Sequence, residues 1–259
     1  MVISDFDVVG WMGELDRQGL VVVPDVLAPD RLQEMRDEVD RLIAEDMAKG
    51  AQVSGFSYDP DDRNIRIVDL VPRSEALRGL AEHPLALAFA NHLLGPDFRL
   101  SNFSGNRTNP GSGRMGMHAD QGFLPAPWPP YAMAINIGWA LDDFTADNGG
   151  TCYIPGSHKR DHGPEWDGHY PEAQALTCRA GSFFAMDGRT WHQTGANVTQ
   201  NRSRTGLFAY YVRPFLVTQR PWPDLISPSQ QSRLSPEMAR LLGFESPRAT
   251  TNLVSRQAL

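Results

Sequence analysis

The chain has 259 residues, 41% hydrophobic and 21% charged, the balance of a globular protein able to bury a sizeable core. A formal net charge of −7 argues against nucleic acid as a partner, which needs a concentrated basic surface, and no apolar run reaches the roughly 18 residues of a membrane span. The N-terminus carries acids where an export signal carries Lys or Arg, and two cysteines are too few for a disulfide framework, so the expected location is the cytoplasm.

In chain order, residues 7–18 read as a helix stopped by Gly19, and 20–24 as a strand. A helix follows from Pro29, with Leu32, Met35, Val39, Leu42 and Ile43 on one face and a stop at Gly50. Residues 52–73 read as loop with one strand over 65–70, and 84–94 as a helix ending at Gly95. From Phe98 the texture changes to strands. Residues 98–104 form one, and 132–141 alternate clearly: Met133, Ile135, Ile137, Trp139 and Leu141 face one way, Ala134, Asn136, Gly138 and Ala140 the other. The small residues of the second face either leave room inside a barrel or sit under a helix. Further strands are expected over 152–154, 176–178, 182–186 and 205–212, separated by turn clusters such as Asp147-Asn148-Gly149-Gly150. One more helix is predicted over 235–242, then a disordered tail. Strands at this spacing after early helices predict a mainly β fold with flanking helices, a double-sheet jelly roll. The chain reads as a single domain: a mainly helical part over 1–97 packed on the barrel, the jelly-roll core over 98–216, and an extension over 217–259.

The chemical centre is Met117-His118-Ala119-Asp120. A His and an Asp two apart on an extended chain point to the same side. His192, in Asp187-Gly188-Arg189-Thr190-Trp191-His192, is the candidate third ligand. Two imidazoles and one carboxylate form the facial triad of non-haem Fe(II) oxygenases, with positions left open for a bidentate cosubstrate and O2. A His-x-Asp pair alone decides little, and the same three ligand types also make zinc sites.

Further segments narrow the choice. With Met117-His118-Ala119-Asp120, the runs Asn148-Gly149-Gly150-Thr151-Cys152-Tyr153-Ile154-Pro155-Gly156-Ser157-His158, Trp191-His192-Gln193-Thr194-Gly195-Ala196-Asn197 and Arg202-Ser203-Arg204 resemble the phytanoyl-CoA dioxygenase-like family of Fe(II)/2-oxoglutarate oxygenases. The resemblance implies a double-stranded β-helix (cupin-like jelly roll), Fe(II) held by His118, Asp120 and His192, 2-oxoglutarate as cosubstrate, and hydroxylation of a small-molecule metabolite of secondary metabolism, with release of succinate and CO2. Family-related halogenases replace the carboxylate ligand with a small residue, so Asp120 disfavours halogenation.

The family anchors the far carboxylate of 2-oxoglutarate on an Arg about a dozen residues past the distal His, a task for which the planar guanidinium fork is suited. Arg204, opening an apolar strand, is the first choice and Arg202 its competitor. Thr151 matches a position whose hydroxyl can reach the cosubstrate. The polar residue that family members often carry three before the proximal His is Met115 here, so Asn106 or Asn136 is expected to supply that contact. Phe103, Arg107 and Gln121 lie near the ligands in sequence and are candidates to touch substrate. So is Trp128 in the stiff Pro125–Tyr131 stretch, which reads equally as a channel wall or a rigid connector. Two rival classes remain open: a cupin-type metalloenzyme that does not use 2-oxoglutarate, and a non-catalytic ligand-binding barrel.

Overall fold

The computed structural model describes residues 7–244, so the expected disordered tail falls outside the described residues. Among the described residues, nine strands form two sheets: β1 (Leu20–Val23), β2 (Asn64–Ile67), β3 (Arg99–Thr108), β4 (Ala134–Ala140), β5 (Thr151–Tyr153), β6 (Gln174–Ala175), β7 (Phe183–Asp187), β8 (His192–Thr194) and β9 (Arg204–Val212). The larger sheet runs β1-β7-β4-β9-β3-β2 and the smaller β6-β5-β8, with every neighbouring pair antiparallel. Residues of both sheets line one cavity between them, the double-sheet jelly roll the sequence predicts.

The helices cover the outer face of the larger sheet. α1 (Val8–Gln18) starts where the Asp7 side chain accepts from Gly10 N and ends at Gly19, whose φ of 82° an L side chain rarely adopts. α2 (Pro29–Ala48) opens with Pro at its first position, which lacks an N–H that would have no partner there, and buries Leu32, Met35, Val39, Leu42 and Ile43. α3 (Leu70–Arg73) and α4 (Glu75–Ala81) follow, and then α5 (Pro84–Leu94), where His83 Nδ1 accepts from Leu85 N. Ile135, Ile137, Trp139 and Leu141 bury against this layer, each large side chain worth about 1.5–3 kcal/mol. The small-residue face of β4 therefore looks into the barrel, not under a helix.

Several boundaries differ from expectation. The strand expected over 65–70 stops at Ile67, because the chain turns into α3 through Asp69 in the left-handed region. No strand forms over 176–178. Cys178 makes only an isolated bridge to Phe144, and the edge pairing is taken two residues earlier by β6. α4 and the two short helices α6 (Trp222–Leu225) and α7 (Pro228–Gln231) have no counterpart among the predicted elements, whereas α8 (Pro236–Leu241) does. Within the mainly helical first 97 residues, β1 and β2 stand where strands are expected and form the two edges of the larger sheet. At the β1 edge, the carbonyl of Gly19 accepts from Asp187 N (2.9 Å) and from the Thr190 hydroxyl (2.8 Å), pinning the turn that leads to His192. No helix of the described residues is long and apolar enough to cross a membrane.

Candidate active site

His118 and His192 face each other across an antiparallel bridge, with His118 N donating to His192 O (2.9 Å) and His192 N to His118 O (2.7 Å). This pairing adds a rung beside β8 and brings the imidazoles together, tilted at 50° with centroids 4.3 Å apart. Two residues on, Asp120 points the same way, and its Oδ1 lies 3.8 Å from His192 Nε2. The three side chains each offer a ligand atom, all within 4.8 Å of one another.

The groups behind the ligands fix their chemistry. His118 Nδ1 lies 3.0 Å from the Gly116 carbonyl and His192 Nδ1 lies 3.0 Å from the Thr190 carbonyl. A carbonyl only accepts, so each Nδ1 carries the proton and each Nε2 lone pair is free for a metal. Burial first, and His192 beside it second, hold the His118 pKa down to about 4, so the ring is neutral as a ligand must be. Asn136 Nδ2 donates to Asp120 Oδ2 (2.8 Å), which leaves Oδ1 as the coordinating oxygen, and the Tyr210 hydroxyl donates to the Asp120 carbonyl (3.0 Å). Nitrogen and carboxylate donors in this arrangement suit Fe(II) and leave one side open.

That open side is a cavity of about 150 Å3 lined by Asn106, Asn136, Thr151, Phe184 and Phe208, among others. Arg204, the first residue of β9, is 0% exposed and lies with its guanidinium 4.6 Å over the Phe144 ring. Its Nη2 donates to Thr108 Oγ1 (2.9 Å) and to the Gly149 carbonyl, while Nε and Nη1 have no partner. Burial, with the Arg66 charge second, pulls its pKa down to about 9. A fully buried cation with two unspent nitrogens fits the carboxylate of a dicarboxylic acid such as 2-oxoglutarate, because burying such a group unpaired is costly.

Thr151 and Asn106 line the cavity, and Asn106 Oδ1 is buried without a partner. The remaining sequence candidates are placed elsewhere. Arg202 precedes β9, half-exposed and paired with Asp147 at 2.7 Å. Phe103 is buried among the helix-side residues of the sheet, and Arg107 reaches outward to Asp40 (2.5 Å) and Thr205 Oγ1 (3.1 Å). Trp128 packs against Met117, Ala119, Ile154 and Trp191 behind the metal loop, so its stretch acts as the connector. Gln121 is buried beside Asp120 and accepts from Met133 N (2.8 Å). Arg66 is at the cavity without having been anticipated. Its guanidinium pairs with the buried carboxylate of Asp59 and reaches Met115 Sδ at 4.0 Å. The signal was present, since Arg66 alternates with Ile65 and Ile67 and must face opposite to them.

The family model for phytanoyl-CoA dioxygenase (PhyH) matches residues 15–206. Dioxygenase af480 of Aspergillus fumigatus is 34% identical over 232 residues, covering 89% of this chain and 75% of that protein. Dioxygenase trt7 of Aspergillus terreus is 28% identical over 204 residues, covering 73% and 68%. Among solved structures, the 2-oxoglutarate-dependent carbocyclase SnoK of nogalamycin biosynthesis superposes with a TM-score of 0.68 at 21% identity, covering 91% of this chain and 94% of that one. HygX of Streptomyces hygroscopicus, solved with nickel and 2-oxoglutarate, gives 0.66 at 20%, covering 82% and 89%. These two likenesses establish the fold, while the length of the family match and the identity to the Aspergillus fumigatus protein establish descent. The chain belongs to the phytanoyl-CoA dioxygenase (PhyH) family.

Proposed function

We propose that the protein hydroxylates a C–H bond of a small-molecule metabolite, a natural-product intermediate, using Fe(II), 2-oxoglutarate and O2 and releasing succinate and CO2. The class itself, a non-haem Fe(II)- and 2-oxoglutarate-dependent oxygenase, follows from family membership. His118, Asp120 and His192 hold the iron in this reading, with Asn136 keeping the Asp120 carboxylate turned so that one oxygen faces the metal. Arg204 and Thr151 receive the far carboxylate of 2-oxoglutarate, and Phe184 and Phe208 form a dry wall beside it. Bound together, the iron and 2-oxoglutarate supply O2 activation and C–H cleavage, chemistry beyond any side chain, while the protein aims it and keeps water out. SnoN, another neighbour of this fold, was solved with Fe3+, α-ketoglutarate and nogalamycin RO, in keeping with a natural-product substrate. Two free thiols, Cys152 and Cys178, suit a reducing cytoplasm.

One observation carries the reading: two histidines and a carboxylate converge on a cavity, and β9, which lends that cavity Phe208, also carries a buried arginine with unpaired nitrogens. Adding Fe(II) and then 2-oxoglutarate under anaerobic conditions should produce the visible metal-to-ligand charge-transfer band of the chelate, and His118→Ala should abolish it. Iron binding with no band and no affinity for 2-oxoglutarate would instead favour a cupin-type metalloenzyme or a binding barrel.

A further inference from the structure

The metal cavity opens into a second chamber of about 360 Å3, within the range that takes a drug-sized ligand. The two share Arg66, Asp120, Asn136, Ser104, Met115 and Phe208. The outer part adds Tyr58, Val68, Asn102, Tyr210 and Gln219. On β3 the inward residues run Asn106, Ser104, Asn102, about 7 Å apart at strand spacing, so Asn102 stands two steps outward from the inner cavity.

Regular alternation from Thr108 back to Asn102 aims Asn102 inward, and the strand breaks step just beyond it, which turns Leu100 to the helix side. The β3–β9 register slips between Leu100 and Asn102, a bulge of the kind that re-aims a side chain. The bulged Ser101 also holds the chain that follows the barrel: its Oγ accepts from Gln219 N (2.8 Å) and its carbonyl from Arg220 N (3.0 Å). Arg220 forks onto Asp69 with two contacts of 2.6 Å, and the Trp222 indole donates to the Leu100 carbonyl (2.7 Å). This strap sets the Gln219 side chain against Asn102, whose Nδ2 donates to Gln219 Oε1 (3.2 Å). Asn102 Oδ1 is then buried with no partner. Turning the amide over would leave its nitrogen unsatisfied instead, so one polar atom stays unspent in either orientation.

Charge narrows what can satisfy it. Arg66 is the sole cation among the described residues lining the chamber, and it is committed to the fully buried Asp59 carboxylate. No free cation awaits a phosphate or carboxylate, while Val68, Phe208 and Tyr210 offer apolar surface. We infer that Asn102 and Gln219, fixed by the Ser101 bulge and its strap, are specificity-determining residues that bind a hydroxyl or carbonyl group on an uncharged substrate. This rests on the oxygenase reading and adds the substrate class and the residues that select it.

The test uses a panel of uncharged polycyclic compounds bearing hydroxyl or keto groups, each with its deoxy counterpart, beside long-chain acyl-CoA thioesters and free amino acids. Binding to the Fe(II)–2-oxoglutarate enzyme is read by thermal shift, turnover by succinate release. Members of the oxygenated neutral set should bind and turn over, their deoxy counterparts more weakly. Asn102→Leu and Gln219→Ala should raise KM for the oxygenated compounds about 10-fold, with little change in kcat and none for the deoxy set. Gln219→Ala spares the strap, which is held through the Gln219 backbone N–H. Activity confined to CoA thioesters or amino acids, hits indifferent to both substitutions, or no hit in the neutral set would each overturn the inference. Loss of the charge-transfer band in the unaltered protein would instead sink the oxygenase reading, so the two failures are distinguishable.

Discussion

Replacing Arg204 with Met should separate stability from function in opposite directions. Without cosubstrate, Arg204 is a fully buried charge with two nitrogens unbonded, and such groups cost on the order of 1–3 kcal/mol each to desolvate. Against this stand its bonds to Thr108 Oγ1 and the Gly149 carbonyl and its stacking on Phe144, together worth about 2–3 kcal/mol. Met keeps the packing and discards the charge. The ligand-free variant should therefore match the unaltered protein or exceed it by roughly 1 kcal/mol, a Tm gain of about 2–4 °C at this size. Cosubstrate affinity should move the other way, because truncating one side of a buried charged pair costs about 2–5 kcal/mol, roughly 30- to 4000-fold in Kd. At about 100 times its Kd, 2-oxoglutarate stabilises the parent by about 2.7 kcal/mol, and the same concentration should stabilise the variant by less than about 1 kcal/mol. Thermal melts followed by circular dichroism, with Mn(II) as a redox-stable stand-in for iron, measure both effects. An equal cosubstrate shift in Arg204→Met would refute the anchor, and a ligand-free loss of several kcal/mol would make Arg204 a structural strut.

Asn136→Leu removes the donor that orients Asp120 and should weaken Mn(II) binding about 10- to 100-fold by calorimetric titration; unchanged affinity would mean that the carboxylate orients itself. At Gly138 an added Cβ would meet the Phe184 ring, so Gly138→Ala should push that ring into the cavity and cost about 1–3 kcal/mol. Urea unfolding and 2-oxoglutarate titration check this, and wild-type values for both would show the ring free to turn aside. Burial holds the His83 pKa at about 4 against an ordinary 6.5. As pH falls the unfolded chain takes up this proton first, so the contribution is whole above about pH 6.5 and drains away towards pH 4. With the ring partly exposed, it amounts to roughly 1–2 kcal/mol. His83→Asn, which still caps α5, should flatten the fall in urea midpoint between those values, and a slope identical to the parent's would place the titration elsewhere.

The inward and outward faces of β4 were legible because period-2 alternation needs no knowledge of the partner strand. Ile135, Ile137 and Trp139 had to share a layer, and so did Asn136 and Gly138. His118 and Asp120 were legible for the same reason. His192 needed its flanking motif, since no periodicity reaches from one strand to another that meets it only in three dimensions. Nearness in sequence misled at Phe103, Arg107 and Trp128. Asn106 faces the cavity, so on a regular strand Phe103 and Arg107 must face the helices, and strand parity alone would have set them aside. The facing of Arg66 was legible from Ile65 and Ile67, but its arrival at the cavity was not, and Gln219 was out of reach altogether, because β2 and the strap touch the cavity only after β3 is in place.

The contact between Gly19 and the Asp187–Thr190 turn joins segments 171 residues apart. A ribosome releases Leu20-Val21-Val22-Val23 long before β7 exists to pair with it. During synthesis that hydrophobic edge must wait unpaired, a state open to misassociation and slow to resolve in a topology rich in distant contacts. The loop bearing His192 gains its brace only when the earliest strand docks, so metal capture belongs among the last events of folding. A chain shortened past Gly19 would then fail first as a holder of metal, even if its sheets still closed.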